Sequence, residues 1–204
     1  IGEGAFCDCK NLKSIILPRW LKKIDKAAFD GCSSLTSISI PPSVTEIGGG
    51  AFSDCSSLTS ISVSKDNKVY DSREDCNAII HTRSNTLISG CKNTSIPESV
   101  TKIGNWAFSG CSSLTSITIP PSVTEIGWHA FDGCSSLTHA EGPAFIAQKL
   151  PKEQLASLVI SEGETEIGDD AFYGCSSLTS ITIPPLVTVI GSSAFSGCSS
   201  LTSI

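Results

Sequence analysis

The side chains with the most chemistry to offer are ten cysteines and three histidines in a chain of 204 residues. Cysteines can pair as disulfides or share a zinc ion with histidine, and a histidine beside a nucleophile can act as its base. The spacing argues against each use. Seven cysteines (Cys9, Cys32, Cys55, Cys111, Cys134, Cys175 and Cys198) occupy one position of an internal repeat, each following a phenylalanine at the same offset. Those phenylalanines recur at a constant interval, from Phe6 to Phe29, Phe29 to Phe52, Phe108 to Phe131 and Phe172 to Phe195. Equivalent residues of stacked repeats sit about one strand spacing (~4.8 Å) apart with parallel side chains, whereas a disulfide needs Cβ atoms ~3.5–4.5 Å apart and a defined torsion. The ladder therefore reads as reduced thiols acting as small hydrophobes. Cys7-Asp8-Cys9 has no second ligand pair for zinc. His81, His129 and His139 fall in different units, and no His-Glu-x-x-His, Gly-x-Ser-x-Gly or phosphate loop occurs. The acidic run from Glu162 to Asp170 reads as a solvated edge, not a calcium site. No catalytic residue, metal site or cofactor is assigned, and the chain is not read as an enzyme.

The elements that position these residues are the repeats themselves. In Leu35–Ser57, Leu35, Ile38 and Ile40 alternate with Thr36, Ser37 and Ser39, the pattern of a half-buried strand. Pro41 and Pro42 end it, because proline cannot donate to a ladder. Val44 and Ile47 are the next apolar positions, Gly48 allows a turn, and Ala51, Phe52 and Cys55 close the coil. First strand positions fall at Leu12, Leu35, Leu58, Cys91, Leu114, Leu137, Leu155, Leu178 and Leu201, which makes about nine repeats in a single domain spanning 1–204. One such coil cannot bury its own apolar side, but stacked coils can.

The string Leu-x-x-Ile-x-Ile-Pro-x-x-Val-x-x-Ile-Gly-x-x-Ala-Phe-x-x-Cys resembles the BspA-like class of leucine-rich repeats over essentially the whole chain. The resemblance implies a leucine-rich-repeat solenoid: a curved right-handed coil with a parallel β-sheet on one face and turns or short 3₁₀ pieces on the other. It also implies a cell-surface or secreted protein that binds a protein or cell-surface ligand, as adhesion modules do. A passive spacer or stalk that presents other domains is the alternative. The chain opens at Ile1 and closes at Ile204 within repeats, so we read it as part of a longer protein without end caps, monomeric or dimerising end to end. Net charge is −6 and no basic run occurs, which makes nucleic acid a poor partner. Apolar stretches are short, so no membrane insertion is expected within this segment.

In a regular frame, function is sought where the frame departs from itself. The repeat that starts at Leu58 does not give way to the next until Cys91, and residues 64–90 should leave the coil as a loop and β-hairpin. One register of that hairpin places Cys76 opposite Cys91, where a disulfide could form, although Cys91 also fits a core position of its own repeat. The repeat that starts at Leu137 is cut short by the next at Leu155, and it puts His139 and Glu141 on a strand whose neighbours show Ser and Thr. Trp106, Trp128 and His129 fall at variable turn positions and should form one lateral patch. Trp106, Trp128, His129, His139 and Glu141 are the candidate ligand-binding residues.

Overall fold

A computed structural model describes residues 1–204. In chain order the first strands are β1 (Lys23–Ile24), β2 (Ser37–Ile40), β3 (Glu46–Ile47), β4 (Ser60–Val63), β5 (Tyr70–Asp71), β6 (Ile79–His81), β7 (Thr86–Ser89) and β8 (Lys102–Ile103). They are followed by β9 (Ser116–Thr118), β10 (Glu125–Ile126), β11 (His139–Gly142), β12 (Ser157–Ile160), β13 (Glu166–Ile167), β14 (Ser180–Thr182) and β15 (Val189–Ile190). Two compact units result: residues 1–114 with 122–134, and residues 115–121 with 135–204. Each is a stretch of parallel-strand leucine-rich-repeat solenoid.

The repeat sequence produces two strand positions per coil. The Leu-x-x-Ile-x-Ile strand forms the longer ladder: β2 pairs with β4 in the first unit, and β9, β11, β12 and β14 run side by side in the second. Its apolar residues are buried and its hydroxyl residues exposed, as in the alternating burial of Ser37–Ile40. The short strand before the turn forms a second ladder, in β1–β3, β8–β10 and β13–β15. Behind it the phenylalanines stack face to face. Phe6–Phe29, Phe108–Phe131 and Phe172–Phe195 have centroids 5.0–5.1 Å apart, and Phe29–Phe52 are 5.4 Å apart. That spacing is close to the strand spacing, so backbone ladder and ring stack share one period.

The long repeat contains the expected β-hairpin, in the antiparallel pair β6–β7, but not as a projection. Its extra residues do not stand away as a loop; they are woven into the stack. β7 occupies the second strand position and pairs in parallel with β8, while β6 and β5 continue the same five-stranded sheet through antiparallel pairs. The reason lies in composition: Ala78, Ile79, Ile80 and Leu87 are fully buried, and a projecting hairpin would have left them in water. Ser72–Asn77 wedges between two coils. Ser72 Oγ donates to Ile61 O, the Asn93 amide donates to Thr59 O, and Ser95 N–H donates to Cys76 O. Cys76 and Cys91 are both buried free thiols, not a disulfide.

Asn67 anchors this arrangement. It is the counterpart of Val44 in the preceding coil, and it is buried with every polar position of its amide used. Nδ2 donates to Pro41 O (2.8 Å) and Val44 O (3.0 Å), and Oδ1 accepts from Val69 N–H and Tyr70 N–H (both 2.9 Å). The Tyr70 hydroxyl in turn accepts the Ile47 N–H at 3.0 Å, an amide at the end of a regular strand. Removing the Asn67 amide leaves those backbone groups without their partners, so Asn67→Ala should cost about 3 kcal/mol, read as a lower urea midpoint by circular dichroism; an unchanged midpoint would refute this role.

Candidate ligand-binding site

The coil ends set the geometry of the lateral face. Two positions in each regular coil adopt positive φ. The first holds Gly4, Ala27, Gly50, Trp106, His129, Asp170 and Ser193, and the second holds Asp8, Gly31, Asp54, Gly110, Gly133, Gly174 and Gly197. Glycine takes this conformation without penalty, whereas a bulky residue does so only when its surroundings hold it there. Trp106 (φ 56°) and His129 (φ 57°) are the bulky cases, and Asp54 (φ 54°) stands where most repeats carry glycine.

A missing edge explains Trp106. In regular repeats the Phe N–H donates to the Ala carbonyl of the next coil, as Phe29 does to Ala51 and Phe108 to Ala130, at 2.8 Å. In the long repeat Gly90 makes this bond to Ala107, also at 2.8 Å, so Gly90 occupies the phenylalanine position. A Cβ there would overlap the Phe108 ring. Cys91 follows Gly90 directly, and the coil edge that should precede the cysteine is absent. The edge of the preceding coil therefore bonds straight across to the following one, through Asp54 N–H to Ser109 O at 3.0 Å. Trp106 fills part of the notch. Its ring lies over Gly49, where a Cβ would come within 3.2 Å of Cζ3. Its other neighbour is the imidazole of His129, stacked at 5.9 Å with 14° between the planes.

What remains is a cleft of about 310 Å³ within the first unit. Trp106 and His129 form one wall, and Asp30, Asp54 and Asp132 supply carboxylates around it. Asp132 Oδ2 lies 2.5 Å from His129 Nδ1. Of the predicted residues, Trp106 and His129 are thus brought together. Trp128 adjoins them through its carbonyl, which accepts the Trp106 N–H at 3.0 Å, but its side chain is 76% exposed and outside the cleft wall. His139 and Glu141 belong to the second unit. They lie on the exposed face of β11, flanked by Ser116 and Thr118 on β9 and by Ser157 and Val159 on β12. His139 Nδ1 is 2.7 Å from the Thr138 hydroxyl. Asp30, Ser53 and Asp54 are not among the residues predicted from sequence. The signal that could have found them is aspartate in place of turn glycine at Asp54, beside a coil lacking its Ala-Phe.

The sequence model of the BspA type leucine-rich repeat region matches residues 1–80 and 84–202, in six copies. The chain belongs to the BspA-type leucine-rich repeat family. A leucine rich cell surface protein of Faecalibacterium prausnitzii A2-165 is 36% identical with a TM-score of 0.65, covering 99% of this chain and 55% of that one. A leucine-rich repeat protein of Bacteroides ovatus is 28% identical with a TM-score of 0.55, covering 100% and 63%. The pneumococcal vaccine antigen PcpA shares the fold at 20% identity and a TM-score of 0.57, over 90% of this chain and 47% of that one. The chain therefore spans about half the length of the Faecalibacterium protein. No curated protein matches it.

The repeat cysteines act differently from simple hydrophobes. Cys32, Cys55, Cys134 and Cys198 each donate S–H to the carbonyl of the phenylalanine one coil earlier, at 3.1–3.2 Å, and Cys111 addresses the Gly90 carbonyl at 3.8 Å. Burial pushes these thiols up, to about 11 in Cys32 and Cys175 and about 12 in Cys55 and Cys134. They are protonated, weak nucleophiles at neutral pH. Because the folded values lie above the ordinary thiol value of ~8.5, their contribution to stability is complete below that pH and is lost as pH rises through 11–12. Under reducing conditions the melting temperature should be level between about pH 6.5 and 8 and fall above about pH 9. Cys134→Ala should melt lower at neutral pH and show a shallower alkaline fall; an identical alkaline slope would remove the thiols as its cause.

Proposed function

We propose that this chain is a protein-binding, adhesion-type module of a cell-surface or secreted protein, working through its lateral aromatic face. The carrying observation is the pair of Trp106 and His129 walling a cleft, with the exposed Trp128 adjoining them, set in a solenoid whose exposed strand residues are mostly Ser and Thr. Bulky aromatic side chains held at an interface centre supply a large share of binding energy in protein complexes. Trp106 and His129 put bulky side chains at a left-handed position where the other coils carry Gly, Ala, Asp or Ser. The family relationship to a leucine rich cell surface protein supports the location. The second exposed departure, His139 with Glu141 and the half-exposed Val159, offers a smaller contact on the strand face.

The test uses the purified chain on immobilised extracellular-matrix proteins and on intact cells. Trp128→Ala combined with His129→Gly should weaken binding about tenfold or more while leaving the fold intact, since glycine occupies the His129 position in other repeats. His139→Ser with Glu141→Thr, which copies the neighbouring strands, should weaken it less. Binding to no surface by a folded chain would favour the spacer. Equal binding by wild type and both double variants would move the interface elsewhere.

A further inference from the structure

The cleft beside Trp106 is more specific than an aromatic patch. It carries three carboxylates, Asp30, Asp54 and Asp132, against one ammonium, that of Lys26. Asp30 is half-buried, and its carboxyl is pushed up by burial and then by the charges of Asp54 and Asp8. Ser53, on the same wall, is 8% exposed, and its hydroxyl has no hydrogen-bond partner in the protein. A buried hydroxyl without a partner is costly, and it marks a place where a missing donor or acceptor would fit.

The aromatic wall narrows the ligand class. One side of Trp106 rests on Gly49 and the other on His129. No bare indole face is left for a sugar ring to lie on. What the cleft offers is carboxylate oxygens and the edge of a stacked aromatic pair, with the unpartnered Ser53 hydroxyl just behind its wall. That set suits a flat cation with several N–H donors. Its volume of about 310 Å³ lies near the lower end of the ligand-pocket range of ~300–1,000 Å³.

We propose that this cleft receives the guanidinium group of an arginine side chain presented by a protein partner. The proposal rests on the binding-module reading and gives it a chemistry. Asp54 and Asp30 bind the guanidinium N–H groups, Ser53 Oγ, sealed from solvent in the free chain, turns about its Cα–Cβ bond to accept a further one, and the imidazole of His129 packs against the plane. Asp54, like Asp8, takes a corner position that glycine holds in the other coils, and of the two only Asp54 faces the cleft. A Cβ on Gly110 would collide with its carboxylate, so Gly110 is the space in which that carboxylate sits.

The experiment uses the whole chain carrying Trp20→Phe and Trp128→Phe, so that Trp106 is the sole tryptophan. N-acetyl-arginine amide, N-acetyl-lysine amide and the neutral N-acetyl-citrulline amide are titrated against its fluorescence. The arginine probe should saturate with a midpoint of about 1–10 mM and weaken with added salt, and the citrulline probe should not saturate. Asp54→Gly should shift the arginine midpoint about fivefold or more, without lowering the melting temperature, because glycine is the usual residue at this left-handed position. No saturation by the arginine probe, equal binding of citrulline or an unshifted midpoint in Asp54→Gly overturns the proposal. Lysine amide binding as well as arginine amide overturns the guanidinium assignment. The chain with all three tryptophans, and its Asp54→Gly variant, are run in the surface-binding assay. Intact surface binding without arginine saturation overturns the cleft alone, whereas arginine saturation without surface binding overturns the binding-module reading.

Discussion

Everything in this protein depends on the hydrogen bonds that tie each coil to its neighbour at fixed offsets. Gly4 to Lys26, Phe29 to Ala51, Thr45 to Lys22 and Gly191 to Ile167 are separate instances of one rule, at different places on the coil. Because the backbone bonds run from coil to coil, a residue at one position must lie above its counterpart. Identical side chains therefore stack, which is why rings of Phe and thiols of Cys form files. The same bonds fix the corners, where two positions are forced into left-handed backbone. The repeated glycines answer that demand, and the few bulky residues that meet it stand out for that reason.

The two irregular repeats show what happens when the period is broken while the bonding rule holds. In the short repeat a 3₁₀ turn, Ala144–Gln148, replaces the second strand and its corner. Side chains then help tie this coil to the next. Lys152 Nζ donates to Tyr173 O at 2.8 Å, and Gln148 Nε2 donates to Asp170 O at 3.1 Å. In the long repeat the added residues supply two further strands. An Arg73–Asp71 bidentate pair, with both N–O distances 2.7 Å, joins Asn85 and Ser99 to lock the insertion to the following coil. The insertion thus stiffens one side of the coil and removes the corner on the other.

That loss reshapes the lateral face. A uniform stack exposes rows of small hydroxyl residues on its strands and turns of near-constant shape on its lateral face. Deleting one corner brings Asp54 against Ser109 and opens a notch that Trp106 only partly fills. Carboxylates that would be separate surface charges on a regular stack then face one small volume. The cleft is therefore a consequence of a break in the repeat, not of the repeat itself.

The repeat unit, its turns, the buried Leu, Ile and Phe positions and the exposed Ser/Thr face could be read from the sequence. A short period with fixed apolar offsets permits little else, because each coil is small and its neighbours are copies. Trp106 and His129 could be found as departures from the consensus, and the period placed them in adjacent coils. Three features were decided only in three dimensions. Cys76 and Cys91 bond to nearby oxygens as thiols, since the hairpin register that would bridge them gives way to a bulge between Ile79 and Ile80. The insertion enters the stack because its apolar residues need cover. Asp30, Ser53 and Asp54 share a cleft with Trp106 because a whole coil edge between them is missing. A sequence period reports what recurs, whereas the contacts across a gap depend on which backbone groups must find new partners when something does not recur.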